Sequence, residues 1–124
     1  MVNVFEIDAG LRSMVEKERW TAAEAAGDLL ASRPQAVWNL IVTHGISPIE
    51  DVRDAVATCM LEHLLEEHFD EYFPLLEHEI RSGKLLLGDT LRRCWKLGVA
   101  ELEENSDRWE GLVKFAREGL ARQS

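Results

Sequence analysis

The stretch from Ser47 to Leu61, "SPIEDVRDAVATCML", decides the fold class because it contains both a helix start and the beginning of an apolar helix face. Ser47 and Glu50 have the spacing of a capping box, in which each side chain accepts a hydrogen bond from a free backbone N–H at the start of a helix. Pro48 then takes the first helical position, where its missing N–H costs nothing. Apolar residues follow at helical spacing: Val52, Val56, Met60, Leu61, Leu64 and Leu65. The stretch therefore predicts a helix that begins near residue 48.

Signals of the same kind divide the rest of the chain. Thr21/Glu24 and Ser32/Gln35 also have capping-box spacing, and Gly45, Gly83 and Gly98 follow apolar segments as C-terminal caps do. No run of strand-type alternation is present in the sequence. The pattern predicts one all-α domain over residues 1–124, with about seven helices in stacked antiparallel hairpins because the connections are short. The predicted helices are 4–18, 21–31, 33–44, 48–67, 71–82, 86–97 and 106–121.

Pro74 predicts a break between the fourth and fifth of these helices. Inside a continuous helix a proline clashes with the preceding turn and costs about 3 kcal/mol, whereas the first turn of a new helix tolerates it. We therefore expect one helix to end near His68 and the next to begin near Glu71 after a cap at Asp70.

The overall charge limits the classes of partner. The 124 residues carry a formal net charge of -9, which opposes binding to nucleic acid and to anionic membranes. The N-terminal residues lack the order of a signal peptide, and no apolar run approaches the roughly 20 residues that span a bilayer. We expect a cytoplasmic protein without a bound cofactor.

An approximate repeat runs through the chain. Leu11-Arg12, Val52-Arg53 and Leu91-Arg92 each pair an aliphatic residue with an arginine, at a spacing close to the about 40–47 residues of HEAT and armadillo repeats.

Residues 33–98 resemble HEAT-repeat proteins. Ser47–Leu61 is similar to the second helix of such a repeat, and "PQAVWNLIVTHG", residues 34–45, is similar to its first helix. A second, weaker copy is "DEYFPLLEHEIRSG" followed by "GDTLRRCWKLG". The resemblance implies a HEAT-like α-α superhelix that serves as a binding scaffold without shared catalytic residues, and it implies that Arg53 and Arg92 brace their repeats.

An acidic stretch is the first candidate binding surface. No lysine or arginine lies between Arg53 and Arg81, although eight carboxylates do, and the basic residues Arg92, Arg93 and Lys96 come later. This segregation indicates either a docking face for a basic partner or neighbouring helices that neutralise one another, and the sequence leaves both open. The candidate partner-binding residues are Glu62, Glu66, Glu67, Asp70, Glu71, Glu77 and Trp95.

Trp95 joins this set because of its surroundings. Three of the four tryptophans, Trp20, Trp38 and Trp109, are expected in the core. Trp95 lies among basic residues, where an exposed ring would favour a partner contact and a buried ring would only fill a charged rim.

The alternative function is a metal-dependent enzyme. On a regular α-helix Cys59, His63 and Glu67 would recur once per turn on one face and could share a divalent ion. No second pair of ligands at metal spacing completes the set, and a face beside carboxylates disfavours a cysteine thiolate. We therefore expect a non-enzymatic interaction module, in the manner of a small immunity or adaptor protein, with self-association through a terminal repeat as a separate possibility.

Overall fold

The computed structural model describes residues 3–123, and all regular structure within them is helical. The all-α prediction is confirmed. The α-helices are α1 (Val4–Leu11), α2 (Glu16–Asp28), α3 (Pro34–His44), α4 (Glu50–Val56), α5 (Glu62–Arg81), α6 (Leu85–Arg92) and α7 (Glu103–Gln123). A π-helical turn, Ala57–Leu61, joins α4 to α5, and a short 3-10 helix, Gly98–Glu101, precedes α7.

The sequence predicts seven helices, whereas the described residues form six continuous ones. The count is six because α4, the π-helical turn and α5 follow one another without a loop and form one helix. The predicted break survives as a kink at His68, whose φ of -126° and ψ of 38° are not helical. Pro74 follows within two turns and cannot donate a hydrogen bond to the carbonyl of Asp70. Asp70 lies inside the helical segment, so the predicted cap at Asp70 is wrong.

The predicted helix ends differ most from the observed ones near the N-terminus, where the predicted break at residues 19–20 lies after the observed break between α1 and α2. The chain turns at residues 12–15, and the hydroxyl of Ser13 accepts a hydrogen bond from the N–H of Val15 there. Thr21 lies inside α2 and donates to the carbonyl of Lys17, so it caps nothing.

The other capping boxes also fail in detail. Ser32 donates to the carbonyl of Leu29, and Ser47 accepts from the N–H of Ile49, which leaves Pro48 outside a helix that begins at Glu50. The starts of α3 and α4 nevertheless lie within two residues of the prediction. α6 ends at Arg92 rather than near residue 97.

Consecutive helices pack as pairs. α1 packs on α2, α3 on α4, and α5 and α7 both pack on α6. Between pairs, α1 contacts α3, α3 contacts α5 and α5 contacts α7, while α2 contacts α4 and α4 contacts α6. One hydrophobic cluster runs from Ile7 in α1 to Ala116 in α7, so the described residues share a single core.

Two arginines repeat one set of bonds. Arg19 in α2 donates to the carbonyl of Ser13 and to the carboxylate of Asp51 in α4. Arg53 in α4 donates to the carbonyl of Ser47 and to the carboxylate of Asp89 in α6. Each arginine therefore connects the turn before its own helix to another helix: Arg19 connects to α4 and Arg53 connects to α6.

This geometry corrects the predicted repeat. Arg12 lies at the end of α1 and pairs with Asp8 on the same helix, so it does not correspond to Arg53. Arg19 makes the bonds that match those of Arg53, and the spacing in the sequence did not reveal this match.

Candidate interaction surface

The acidic residues selected from the sequence differ in their exposure. Glu67, Asp70 and Glu71 are exposed, Glu66 and Glu77 are partly exposed, and Glu62 is only 6% exposed. A partner protein can therefore reach the first three directly, whereas Glu62 is not part of an accessible surface.

Glu62 holds the chain that follows α6. One carboxylate oxygen accepts a hydrogen bond of 3.0 Å from the backbone N–H of Trp95, and the other lies 3.8 Å from Nε2 of His63. A buried carboxylate needs such partners because burial without them would be costly. The role of Glu62 is therefore to fix the backbone at Trp95.

Ion pairs inside the protein neutralise much of the charge segregation. Glu77 lies 3.6 Å from Arg81 and 3.8 Å from Arg108, and Lys84 pairs with Glu79 at 2.6 Å. The alternative of internal neutralisation thus holds for this part of the stretch. In residues 3–123, Glu67 and Asp70 form no ion pair, and Glu71 has only His68 at 3.9 Å.

The basic residues Arg93 and Lys96 are also engaged in ion pairs within the protein. Arg93 pairs with Glu50, Asp54 and Asp89 at 2.5 to 2.8 Å, and Lys96 pairs with Glu110 in α7. These side chains connect α6 to α4 and α7, and they are not available as a free basic surface.

Asp89 is the centre of this network. Its carboxylate accepts hydrogen bonds from Arg53, Arg92 and Arg93. Burial by itself would raise the pKa of Asp89, but the three guanidinium groups outweigh it and lower the pKa to about 2. Asp89 is therefore fully ionised over the physiological range.

The three residues of the metal hypothesis do not form a site. Cys59 lies within the π-helical turn, whose i→i+5 bonding changes the once-per-turn alignment of Cys59 with His63 and Glu67. Burial, with the charges of Glu24 and Glu62, raises the pKa of the Cys59 thiol, which favours its protonated form. Among residues 3–123, no three histidine, cysteine, aspartate or glutamate side chains are grouped closely enough to hold a metal ion.

Trp95 is the exposed tryptophan. Trp38 and Trp109 are buried as expected, and Trp20 is partly buried with its Nε1 donating to Asp51. The side chain of Trp95 is 75% exposed, so the interpretation of a buried ring inside a charged rim is wrong for this residue. Trp95 lies directly after Cys94, in the segment that Glu62 holds.

The connection between α6 and α7 carries two further exposed apolar side chains. Val99 is 42% exposed and Leu102 is 55% exposed. We call the segment from Trp95 to Asp107, which includes the start of α7, the α6–α7 loop. Sequence reasoning missed Val99 and Leu102, because they follow Trp95 at four and seven residues, which is the spacing of a helix face and gives no sign of exposure.

Buried polar contacts fix the backbone of the α6–α7 loop. Asn105 is buried and its side chain donates to the carbonyl of Val99 at 2.9 Å. The ammonium group of Lys96 donates to the hydroxyl of Ser106 at 3.0 Å. Gly98 has a φ of 55°, and a Cβ there would lie 2.9 Å from the carbonyl oxygen of Glu66. The loop therefore rests on the first turns of α5.

Comparisons with protein-family models, with curated proteins and with solved structures gave no match to this chain. In the part of the chain that the structure describes, no helix combines the length and apolar character needed to cross a membrane.

Proposed function

We propose that the chain is a non-enzymatic protein–protein interaction module whose acidic surface on α5 engages a basic partner, in the manner of a cytoplasmic immunity or adaptor protein. The observation that carries the proposal is the set of exposed carboxylates Glu67, Asp70 and Glu71, two of which have no ion pair within residues 3–123. Unpaired carboxylates on a protein of net charge -9 attract a positively charged surface and increase its rate of association.

A HEAT-like scaffold is part of this proposal. The order of contacts supports it, because the first helices of successive pairs adjoin one another and the second helices do the same. The matching bonds of Arg19 and Arg53 support it too, because they join successive second helices in one way. Such a stack offers an extended surface for a protein partner.

Affinity capture from the source cell at low and at high salt tests the function. We expect a basic protein to be recovered at low salt and lost at high salt, because exposed charge pairs are screened. The triple variant Glu67→Gln, Asp70→Asn, Glu71→Gln should lose this partner as well.

The matched control neutralises three other exposed carboxylates, Glu6→Gln, Glu16→Gln and Glu118→Gln, and should retain the partner. Circular dichroism checks that both triple variants keep their helix content. Recovery of no partner at either salt concentration, or equal loss in both triple variants, would sink the proposed function.

A further inference from the structure

The α6–α7 loop presents three large apolar side chains to water within eight residues. Trp95 is 75% exposed, Leu102 is 55% exposed and Val99 is 42% exposed. Single exposed apolar residues are normal on a protein surface, whereas large contiguous apolar patches mark interaction sites. Ala100, in the same loop, is fully buried.

The backbone beneath these side chains is held in place. Glu62 accepts from the N–H of Trp95, Asn105 donates to the carbonyl of Val99, and Lys96 donates to Ser106. Two of these polar groups, Glu62 and Asn105, are buried. Because the loop is already ordered, a partner would lose less conformational entropy on binding it.

The α6–α7 loop carries several carboxylates that no ion pair within residues 3–123 compensates. Carboxylates with no ion pair in residues 3–123 lie on the loop at Glu101, Glu103, Glu104 and Asp107. The cations nearest in sequence are occupied, since Lys96 pairs with Glu110 and Arg108 approaches Glu77. Leu102 borders the same surface groove as three of the carboxylates, namely Glu103, Glu104 and Asp107.

We propose that the α6–α7 loop is the anchor site for an amphipathic basic segment of the partner protein, which packs apolar side chains on Trp95, Val99 and Leu102 and pairs lysine or arginine with the surrounding carboxylates. This inference rests on the proposed function and names the kind of segment that the partner offers. Trp95 is the principal anchor, because tryptophan is enriched at binding hot spots and its face also attracts cations.

Charge complementarity selects this occupant over two others. A second copy of the chain would bring the same carboxylates to the interface and a net charge of -9, so the two loops would repel. An anionic membrane would repel the loop for the same reason. A basic segment neutralises the carboxylates and covers the apolar side chains at once.

The test titrates the full chain with a synthetic amphipathic helix of leucine and lysine, about 18 residues long, and with its leucine–glutamate counterpart. Binding is followed by the indole N–H resonances of the tryptophans. We expect the Trp95 resonance to shift with the lysine peptide and not with the glutamate peptide. Trp95→Ala should weaken binding at least tenfold, which corresponds to about 1.4 kcal/mol.

Phe5→Ala provides the matched control, because Phe5 is an aromatic residue of α1 that is 88% exposed. It should leave the affinity for the lysine peptide within twofold of wild type. Trp95→Phe should recover part of the affinity lost in Trp95→Ala, because a smaller aromatic face remains. Since the Trp95 side chain is exposed, neither Trp95→Ala nor Trp95→Phe should change the helix content.

Several outcomes overturn the inference. One is equal weakening by Trp95→Ala and Phe5→Ala; another is binding of the lysine peptide without any shift of the Trp95 resonance. A dimer in light scattering, or binding to phosphatidylserine vesicles, that Trp95→Ala abolishes would assign the loop to a second copy or to lipid. In affinity capture, a partner that the α5 triple variant loses but Trp95→Ala retains would preserve the proposed function and remove the loop from it.

Discussion

Three arginine side chains, one from α4 and two from the C-terminal end of α6, meet at the carboxylate of Asp89. Arg53 comes from α4, whereas Arg92 belongs to α6 and Arg93 directly follows it. Isolated ion pairs on a surface contribute little, but the Asp89 and Arg93 side chains are each only 13% exposed, are hydrogen-bonded to each other and form further hydrogen bonds to other charged residues. Asp89 therefore links α4 to α6 through one ionised group.

We predict that Asp89→Asn lowers the free energy of unfolding by about 1 to 2 kcal/mol at pH 7, after allowance for solvent screening. Because folding lowers the pKa of Asp89 from 3.8 to about 2, the stabilisation is complete above pH 4 and disappears as the pH falls towards 2. The difference between wild type and variant should shrink over that interval. Urea unfolding at a series of pH values measures it.

Asp107→Asn is the control, since Asp107 has no ion pair among residues 3–123. It should change the stability by less than about 0.5 kcal/mol at any pH. A difference for Asp89→Asn that stays constant from pH 5 to pH 2 would contradict the role given to its ionised form.

The spacing of residues in the sequence predicted the burial of apolar side chains but not the burial of Glu62. The apolar stripe Val52, Val56, Met60 was predicted from spacing and is buried, because helical periodicity alone determines which face is apolar. Glu62 was predicted on the acidic surface and is buried instead, because its partner is the backbone of Trp95, far away in the sequence. A bond to a distant backbone group leaves no signal in local composition.

At the scale of elements, α6 and α7 cross at a glycine. A Cβ added to Gly88 would lie 2.1 Å from the Cβ of Ala116. In contrast, Gly111 is exposed on α7 and a Cβ there would meet nothing within 4 Å. A glycine-to-alanine substitution can therefore be compared at Gly88, where two helices are in close contact, and at Gly111, where the helix surface is open.

We predict opposite effects for these two positions. Gly88→Ala should destabilise the protein by about 1 to 3 kcal/mol, because the helices must separate to admit the methyl group. Gly111→Ala should stabilise it by up to about 1 kcal/mol, because alanine favours a helix over glycine and meets no obstacle. Thermal unfolding of both variants measures the signs, and stabilisation by Gly88→Ala would contradict the close packing of α6 on α7.

The capping signals in the sequence predicted where some helices begin, but they did not predict the hydrogen bonds that the capping side chains form. Ser47 predicted the start of α4 within two residues, yet its hydroxyl bonds Ile49 and not a first-turn N–H. Thr21 carried the same signal and lies inside α2. A hydroxyl can bond either to a following N–H or to the carbonyl four residues earlier, and tertiary packing decides between them.

For the whole molecule, the continuous core predicts a single unfolding transition. Ile7 in α1 and Leu112 in α7 are both fully buried members of one cluster. We predict that Ile7→Val costs about 0.5 to 1.5 kcal/mol and Leu112→Ala about 2 to 5 kcal/mol, each shifting the same transition.

Circular dichroism and tryptophan fluorescence should coincide for both variants, because fluorescence of the buried Trp38 and Trp109 reports on both halves of the chain. Two separate transitions in either variant would mean that the terminal helices unfold independently of the rest.

The all-α class and one apolar face were predictable because they depend on residues close together in the chain. The network around Asp89 and the loop held by Glu62 were not, since each joins residues more than thirty positions apart. The candidate site followed the same division: Trp95 was selected for its neighbours in sequence, whereas Val99 and Leu102 required the fold.

The π-helical turn at Ala57–Leu61 has a consequence for how related chains would be aligned. Such a turn is equivalent to inserting one residue into an α-helix, and the exposed Thr58 lies at its outer side. A homologue that lacked this residue would keep the same buried side chains before and after the turn. Its correct alignment would then need a one-residue gap in the middle of a helix, the place where alignment methods are least willing to open one.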